Sequence, residues 1–428
     1  MRLKYLFAFV MVFGIFLTAC SAEPHPDYIT ISGELFSTEL TELDLSQKDL
    51  SDEDILPLRY MINLTLLELC NNQISDITIL AELRNLMFLS LEGNQISDIA
   101  PLAELTNLTH LDLQDNQIKD ITPLAELTNL MELDLGDNQI SDITAAAGLT
   151  NLTLLSLPGN QISDIAPLAE LTNLTQLDLQ DNQIKDITPL AELTNLTQLD
   201  LHDNQIKDIT PLAGLTGLTR LLMNNNQIND ITPLANLTDL TQFLLDHNQV
   251  SDLTSLAYIT NLELLSIRSN QITDITPLAY LTNLTLLYLS DNKITDIAPL
   301  AYLTDLNFLN LGYNQITDVA PLAELTALMV LGLHNNQISD ITPLALANLA
   351  GLIFLSLTDN QIVDIAPLVY LTNLAILNLA GNQIVDISPL ADLANYETES
   401  TQVRLDLSGN PISDWSPVED FVNVVGRP

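Results

Sequence analysis

The chain has 428 residues and a formal net charge of −42, with 55 Asp and Glu against 13 Lys and Arg, and 47% of its residues are hydrophobic. A body this acidic repels nucleic acid and anionic lipid headgroups, which excludes both as expected partners and favours cationic ones. The length alone suggests about three ordinary domains, but the chain repeats itself, and a stack of repeats is one elongated body.

The first element, MRLKYLFAFVMVFGIFLTAC, has a basic start, an apolar run from Leu6 to Leu17 and small residues before Cys20. That is the pattern of an export signal, residues 1–19, and not part of a fold. The ending Leu17-Thr18-Ala19-Cys20 resembles the cleavage box of bacterial lipoproteins. The resemblance implies that Cys20 becomes the new N-terminus, lipidated on its sulfur and its amine. The protein would then be an exported lipoprotein of the bacterial cell membrane or outer membrane, facing outward. An uncleaved anchor and a fully secreted chain are the rival readings. Cys70 is the other cysteine, so no intramolecular disulfide is expected and packing alone must hold the fold. Residues 20–28 form a short linker that reaches at most about 30 Å.

A cap is expected next, residues 29–48, made of ITISGELFSTE and a degenerate first unit, LTELDLSQKDL. The array follows over 49–410. Aligned on the asparagine before Gln-Ile, units recur at Asn72, Asn94, Asn116, Asn138 and every 22 residues to Asn336, then at Asn360, Asn382 and Asn410. With Lys48 in the slot of the first copy, 17 units result. Each reads L-x-x-L-x-L-x-x-N-x-I-x-x-I-x-x-L-x-x-L, the leucine-rich repeat pattern. The 22-residue form NQISDITPLAxLTNL resembles the repeats of the internalins, bacterial surface proteins, over roughly residues 40–421.

Physical chemistry leads to the same fold. In L-x-L the side chains alternate, so both leucines face inward from a strand about three residues long. Seventeen such strands side by side make a parallel sheet on the order of 80 Å long. The return half, Thr-Pro-Leu-Ala-x-Leu-Thr, has room for a 3₁₀ turn only, with proline well placed at its start and the preceding threonine as a cap. The expected fold class is therefore an α/β solenoid, a leucine-rich repeat right-handed superhelix or horseshoe. Its parallel β-sheet lies on the concave face and its short 3₁₀ turns on the convex face. About seven apolar residues per unit point inward, and only neighbouring units can bury them. The repeated asparagine can satisfy buried backbone groups in its own turn and the next. The aspartate four residues later (Asp76, Asp98, Asp120 and onward) is expected to bond backbone N–H groups in its turn.

Residues 411–428 should cap the far end, with Trp415, Val418 and Phe421 in inward slots. Ala146 replaces a core leucine and underfills its slot. The extra residues near Leu346 and the stretch 396–401 should bulge on the convex side or a rim.

No phosphate-cradling glycine loop, nucleophile elbow, paired-cysteine zinc site or HExxH motif occurs, so the chain is not read as an enzyme. His110, His202, His247 and His334 fall on or beside strands of four different units without metal-ligand spacing. Repeated Asn-Leu-Thr matches the glycosylation sequon, but here it is the link back to the strand.

Variation concentrates at the outward strand positions, six, four and two residues before each aligned asparagine. One block is acidic. Asp112, Asp134, Asp178 and Asp200 share a column interrupted by Ser156, with Asp115, Asp137, Asp181 and Asp203 beside them. Like charges on adjacent strands destabilise, so the block is either a solvated face or a surface for a cationic partner or weak Ca²⁺ binding; no other cofactor is expected. The second block is apolar: Leu264, Leu286, Phe308, Val330, Phe354 and Ile376 fill one outward slot in six successive units, with Tyr288 and Tyr313 nearby. It is either a protein-binding stripe or a set of side chains stacked on one another. Together these features describe a surface-tethered, monomeric, non-catalytic recognition protein with a protein ligand, basic in character, in adhesion or in a host or envelope interaction. A polysaccharide- or peptidoglycan-binding protein and a structural envelope protein are the alternatives.

Overall fold

A computed structural model describes residues 25–346, 349, 351–393, 403–419 and 421–427. The export signal, Cys20, the insertion after Leu346 and the stretch 396–401 lie wholly or mainly outside these residues.

Each unit begins with a three-residue strand, because only the L-x-L segment is extended before the chain must turn. The strands run from Glu42–Asp44 to Asn423–Val425 in chain order and pair in parallel, in register, each with its sequence neighbours. Seventeen pairings join eighteen strands, one fewer than closure into a ring requires, so the sheet is an open ribbon. The eighteenth strand corrects the count of 17. The tail residues 423–425 pair with Arg404–Asp406 and extend the sheet, although they lack the L-x-L signature.

The return halves are 3₁₀ turns such as Ala100–Glu104, Thr122–Leu124 and Thr276–Tyr280, with proline in the first two positions. The unit with extra residues forms a one-turn α-helix instead, Thr342–Leu346. The expected threonine cap is not made: Thr122 is itself the first residue of its turn, and Ile121 before it has no side-chain cap bond. The aspartate two residues before the turn's first residue takes that role, Asp120 Oδ1 accepting the Thr122 N–H at 2.8 Å and Asp208 Oδ1 that of Thr210 at 2.9 Å. Hydrogen bonds from Thr122 and Thr210, hydroxyl first and backbone second, hold these exposed carboxyls below the usual range.

The core is one continuous stack. In a typical unit Leu108, Leu111, Leu113, Ile118, Ile121, Leu124 and Leu127 are all buried, and each contributes roughly 1.5–3 kcal/mol when fully buried. Ala146 sits buried in the slot that Leu124 and Leu168 fill in adjacent units. At one end a hairpin, Tyr28–Ile31 with Glu34–Ser37, turns through Ser32 and Gly33, both at positive φ, which matches the twist of the two strands. Its Ile29 and Ile31 are buried against the first unit, and Glu34 pairs with Lys48 at 2.8 Å. At the other end Val418 and Phe421 are buried and Trp415 packs partly buried beside them.

The asparagine column works as expected, except that it serves the preceding unit and not the following one. Asn182 Nδ2 donates to the carbonyls of Leu157 (2.9 Å), Leu179 (3.2 Å) and Gln180 (3.0 Å), and its Oδ1 accepts the Ile162 N–H at 3.0 Å. Leu157 and Ile162 belong to the unit before.

Truncating this amide should therefore cost far more than truncating an exposed one. Asn182→Ala is expected to lower stability by about 3 kcal/mol, since buried backbone groups lose their partners. Asn173→Ala, which removes an exposed bond to the Thr150 carbonyl, should cost less than about 1 kcal/mol. Urea midpoints of the two variants check the difference; equal midpoints would refute it.

Candidate binding face

Because the strands stay in register, a column in the alignment is a column in space, its members about 4.8 Å apart. Two columns point out of the sheet, at the first and third strand positions. Beyond each strand comes one residue in the left-handed region, directly before the asparagine.

The acidic column is assembled as the sequence suggests. Asp112, Asp134, Ser156, Asp178 and Asp200 are register neighbours in that order, and all four aspartates are half-buried. Each is also tied to its own turn, Oδ1 accepting the N–H two residues on: Gln114 (3.1 Å), Gly136 (2.9 Å), Gln180 (3.0 Å) and His202 (3.1 Å). One carboxylate oxygen per residue is thus already engaged. Burial pushes Asp134 above the ordinary range and Asp178 to about 6, with neighbouring carboxylates adding to both. At the end of the column the His202 ring bonds Asp200 at 2.6 Å and is raised by that bond. A recess of about 260 Å³ lies over the column between Asp134 and Arg220.

The companion aspartates have a different origin. Asp115, Asp137, Asp181 and Asp203 are exposed and stand at φ 52°, 51°, 50° and 53°, the left-handed slot. In other units the same slot holds Asn71, Gly93, Asn225 or Gly381. Aspartate, asparagine and glycine tolerate this conformation best, so the turn's backbone selects these acids independently of any partner. The slot could have been recognised from its restriction to such residues. Gln47 (φ 58°), His247 (φ 54°), Ser269 (φ 51°) and Tyr313 (φ 54°) are its exceptions, of which Tyr313 is the bulkiest.

The apolar ladder is also continuous. Leu264, Leu286, Phe308, Val330, Phe354 and Ile376 are register neighbours, half-buried, each the first residue of its strand. Tyr288 ends its own strand and stacks on Phe308 at 4.5 Å. Tyr313 is exposed and meets the His334 ring edge-on at 5.3 Å. Phe308, Val330, Phe354, Tyr313 and His334 enclose a recess of about 620 Å³.

Between the two blocks lies a connection that sequence reading missed. Asp246, 2% exposed, receives Nε of Arg268 at 2.9 Å, its terminal nitrogen at 2.6 Å, the Arg268 N–H at 2.7 Å and the Ser266 hydroxyl at 2.6 Å. Arg268 lies over the Tyr288 ring at 5.4 Å. The pair is 22 residues apart, one repeat, which was the available signal.

Elsewhere Cys70 is half-buried, with Sγ 2.9 Å from the Ser90 hydroxyl, which donates to Asp112. Among the described residues no three His, Cys, Asp or Glu converge to hold a metal ion, and no helix is long and apolar enough to cross a membrane.

The family model for leucine rich repeats (two copies) matches this chain in ten segments that together cover residues 62–236, 260–346 and 351–392. Among solved structures the chain is similar to an internalin from Listeria monocytogenes, at 36% identity over 81% of this chain and 90% of that one, with a TM-score of 0.64. It also resembles a leucine-rich repeat protein from Leptospira interrogans, at 23% identity over 90% and 96% of the two chains (TM-score 0.68). The plant peptide hormone receptor RGFR1, in complex with RGF2, matches at 24% identity over 88% of this chain and 64% of that one (TM-score 0.74). The last two likenesses are of fold. No curated protein sequence matches the chain.

The raised carboxyl of Asp178 gives a pH signature. Its folded-state value of about 6 lies above the ordinary value of about 4, so between these limits the folded chain binds the proton more tightly than the unfolded one. This group's ionisation therefore costs stability above pH 6, and the cost is relieved on acidification toward pH 4. Asp178→Asn, which keeps an acceptor for Gln180, should raise the melting temperature at pH 7.5 and leave it unchanged at pH 4. An equal effect at both pH values would refute the desolvation account.

Proposed function

Since this chain belongs to the leucine-rich repeat family, in its internalin-like 22-residue form, we propose that it is a surface-tethered, non-catalytic recognition protein whose sheet face binds a protein partner. One observation carries the proposal. Six successive strands present an unbroken apolar column, Leu264 to Ile376, that the fold leaves half-exposed. A contiguous apolar stripe on a soluble body marks an interaction site. The face is built from strands already paired in register, so a partner meets little ordering cost. The acidic column at the other end, with a formal net charge of −42 overall, favours a basic partner. One solved protein of the same fold is a peptide hormone receptor in complex with RGF2, so the fold serves protein recognition elsewhere.

A glycan-binding reading has one observation of its own, on the opposite side. Tyr258, Tyr280 and Tyr302 share one turn slot in three successive units and are 62–66% exposed. A paired comparison separates the two faces. Phe308→Ser with Phe354→Ser should abolish capture of the partner in a cross-linking pull-down, with the melting temperature little changed. Tyr280→Ser with Tyr302→Ser should leave capture intact. Capture lost with the tyrosine pair instead would transfer the binding face to the turn side.

For the tether, Cys20 is proposed as the lipidated residue. Wild-type protein expressed in a bacterium should partition into the detergent phase and incorporate labelled palmitate. Cys20→Ser should do neither. Labelling that survives the substitution would end the lipoprotein reading.

A further inference from the structure

We infer that the recess bounded by Phe308, Val330 and Phe354 is a socket for one aromatic side chain of the protein partner, presented between basic residues. The inference rests on the reading that the sheet face binds protein, and it names the subsite and its ligand chemistry.

The socket exists because of glycine. Gly332 stands in the outward slot that Tyr288, Asn310, Ser356 and Asn378 fill on neighbouring strands. Its missing side chain leaves a floor between the Phe308 and Phe354 walls. A second glycine shapes the opposite wall: a Cβ on Gly312 would sit 2.3 Å from the His334 ring, so only glycine lets that imidazole lie where it does. Tyr313 completes the wall from a left-handed backbone position (φ 54°) that other units give mainly to Asn, Asp and Gly. A bulky residue held there at a cost points to a use for its side chain. Behind Phe308 the Tyr288 ring is fixed in turn by Arg268 and buried Asp246. The walls are therefore preformed.

Size and charge select the occupant. About 620 Å³ admits one aromatic ring with its flanking chain, within the range of roughly 300–1,000 Å³ for ligand clefts. Edge and face contacts from Phe308, Tyr313 and Phe354 suit a ring. The lining contains one formally charged residue, Asp359, and no lysine or arginine. Burial holds His334 below the usual imidazole range, so it adds no positive charge at neutral pH. An acid-flanked ring would meet Asp359 and a body of formal charge −42; a base-flanked ring is attracted by both.

The test titrates the full chain with three capped tripeptides, Ac-Arg-Trp-Arg-NH₂, Ac-Glu-Trp-Glu-NH₂ and Ac-Arg-Ala-Arg-NH₂, followed by saturation-transfer NMR and calorimetry. The first should bind at least about tenfold tighter than either of the others, a clear separation on the affinity scale. Gly332→Tyr should weaken it by about tenfold or more. Tyr288 fills that slot two strands earlier; at Gly332 the new Cβ comes within 2.9 Å of Asn310 Oδ1, the end of a side chain that can shift, and the melting curve verifies that the variant folds. Asp359→Asn should leave tryptophan binding in place and shrink the preference for basic flanks. Equal binding of the alanine peptide, or no effect of Gly332→Tyr on a folded protein, overturns the socket. If Gly332→Tyr changes nothing while the Phe308/Phe354 pair still abolishes partner capture, the socket fails and the binding face stands. If chitotriose binds the recess and the tripeptides do not, the protein-ligand chemistry is wrong.

Discussion

The array depends on one buried amide per unit. The asparagine that ends each strand segment bonds carbonyls of its own turn and reaches back to the preceding one, where its oxygen takes the N–H of the inward isoleucine or valine. Without it those backbone groups would be buried and unpaired, since the turn is too tight to pair them internally. The amide therefore fixes both where the chain leaves the strand and how far each coil is displaced from the last. A one-residue slip would turn every leucine outward. The direction of the bond also explains why the first unit dispenses with the residue. Lys48 has no preceding strand to serve, and its side chain instead reaches Glu34 of the hairpin, while its own backbone N–H and that of Leu50 are taken by Asn72 Oδ1.

Once the register is fixed, the outward positions divide into those that the backbone constrains and those that it leaves free. The left-handed slot is constrained, which accounts for Asp115, Asp137, Asp181 and Asp203 without any partner. The first strand position is free, and there the apolar column is a property of the sequence alone; at the third, Asp and Asn side chains also accept the turn's N–H two residues on. Tyr313 is informative because it carries a ring where the backbone would prefer Asn or Gly. At Gly332 a side chain is missing where neighbouring strands carry one, and a Cβ there would approach Asn310 Oδ1 to 2.9 Å.

The fold was legible because every inward residue repeats with the period of the backbone. Leu111, Leu113, Ile118 and Ile121 announce one coil, and the next coil announces the same. The failures fall where that redundancy stops. The eighteenth strand was hidden because Asn423-Val424-Val425 carries no leucine pair, although its backbone continues the ladder and Val424 packs on the core. The cap of each turn was assigned to Thr122 and its equivalents, although Asp120, two residues earlier, places its oxygen on the turn's first N–H. On the face itself the columns were visible and the recess was not. A cavity is set by what Gly312 and Gly332 lack, and an alignment read for its prominent residues passes over absent ones. The Asp246–Arg268 pair was likewise concealed, since its members look like isolated charges until the 22-residue offset places them on adjacent strands.

A compact globular domain could hardly carry such a face, because a row of carboxylates would act on the whole core. In a solenoid each coil touches only its neighbours, so the cost of placing Asp134 and Asp178 in one column stays local. It is met locally too. Ser156 separates them, their own turns donate N–H groups to them, and burial favours their protonated forms. At the boundary Arg220 supplies positive charge, the His202 ring bonds Asp200, and the Asp246–Arg268 pair spans the last polar unit and the first of the apolar ladder. The ladder starts at Leu264, three strands after Asp200, the last member of the acidic column. An acidic half and an apolar half thus lie side by side on one rigid ribbon, each stabilised without reference to the other. Selection can alter the letters of either half while the asparagines and leucines beneath keep every column in place.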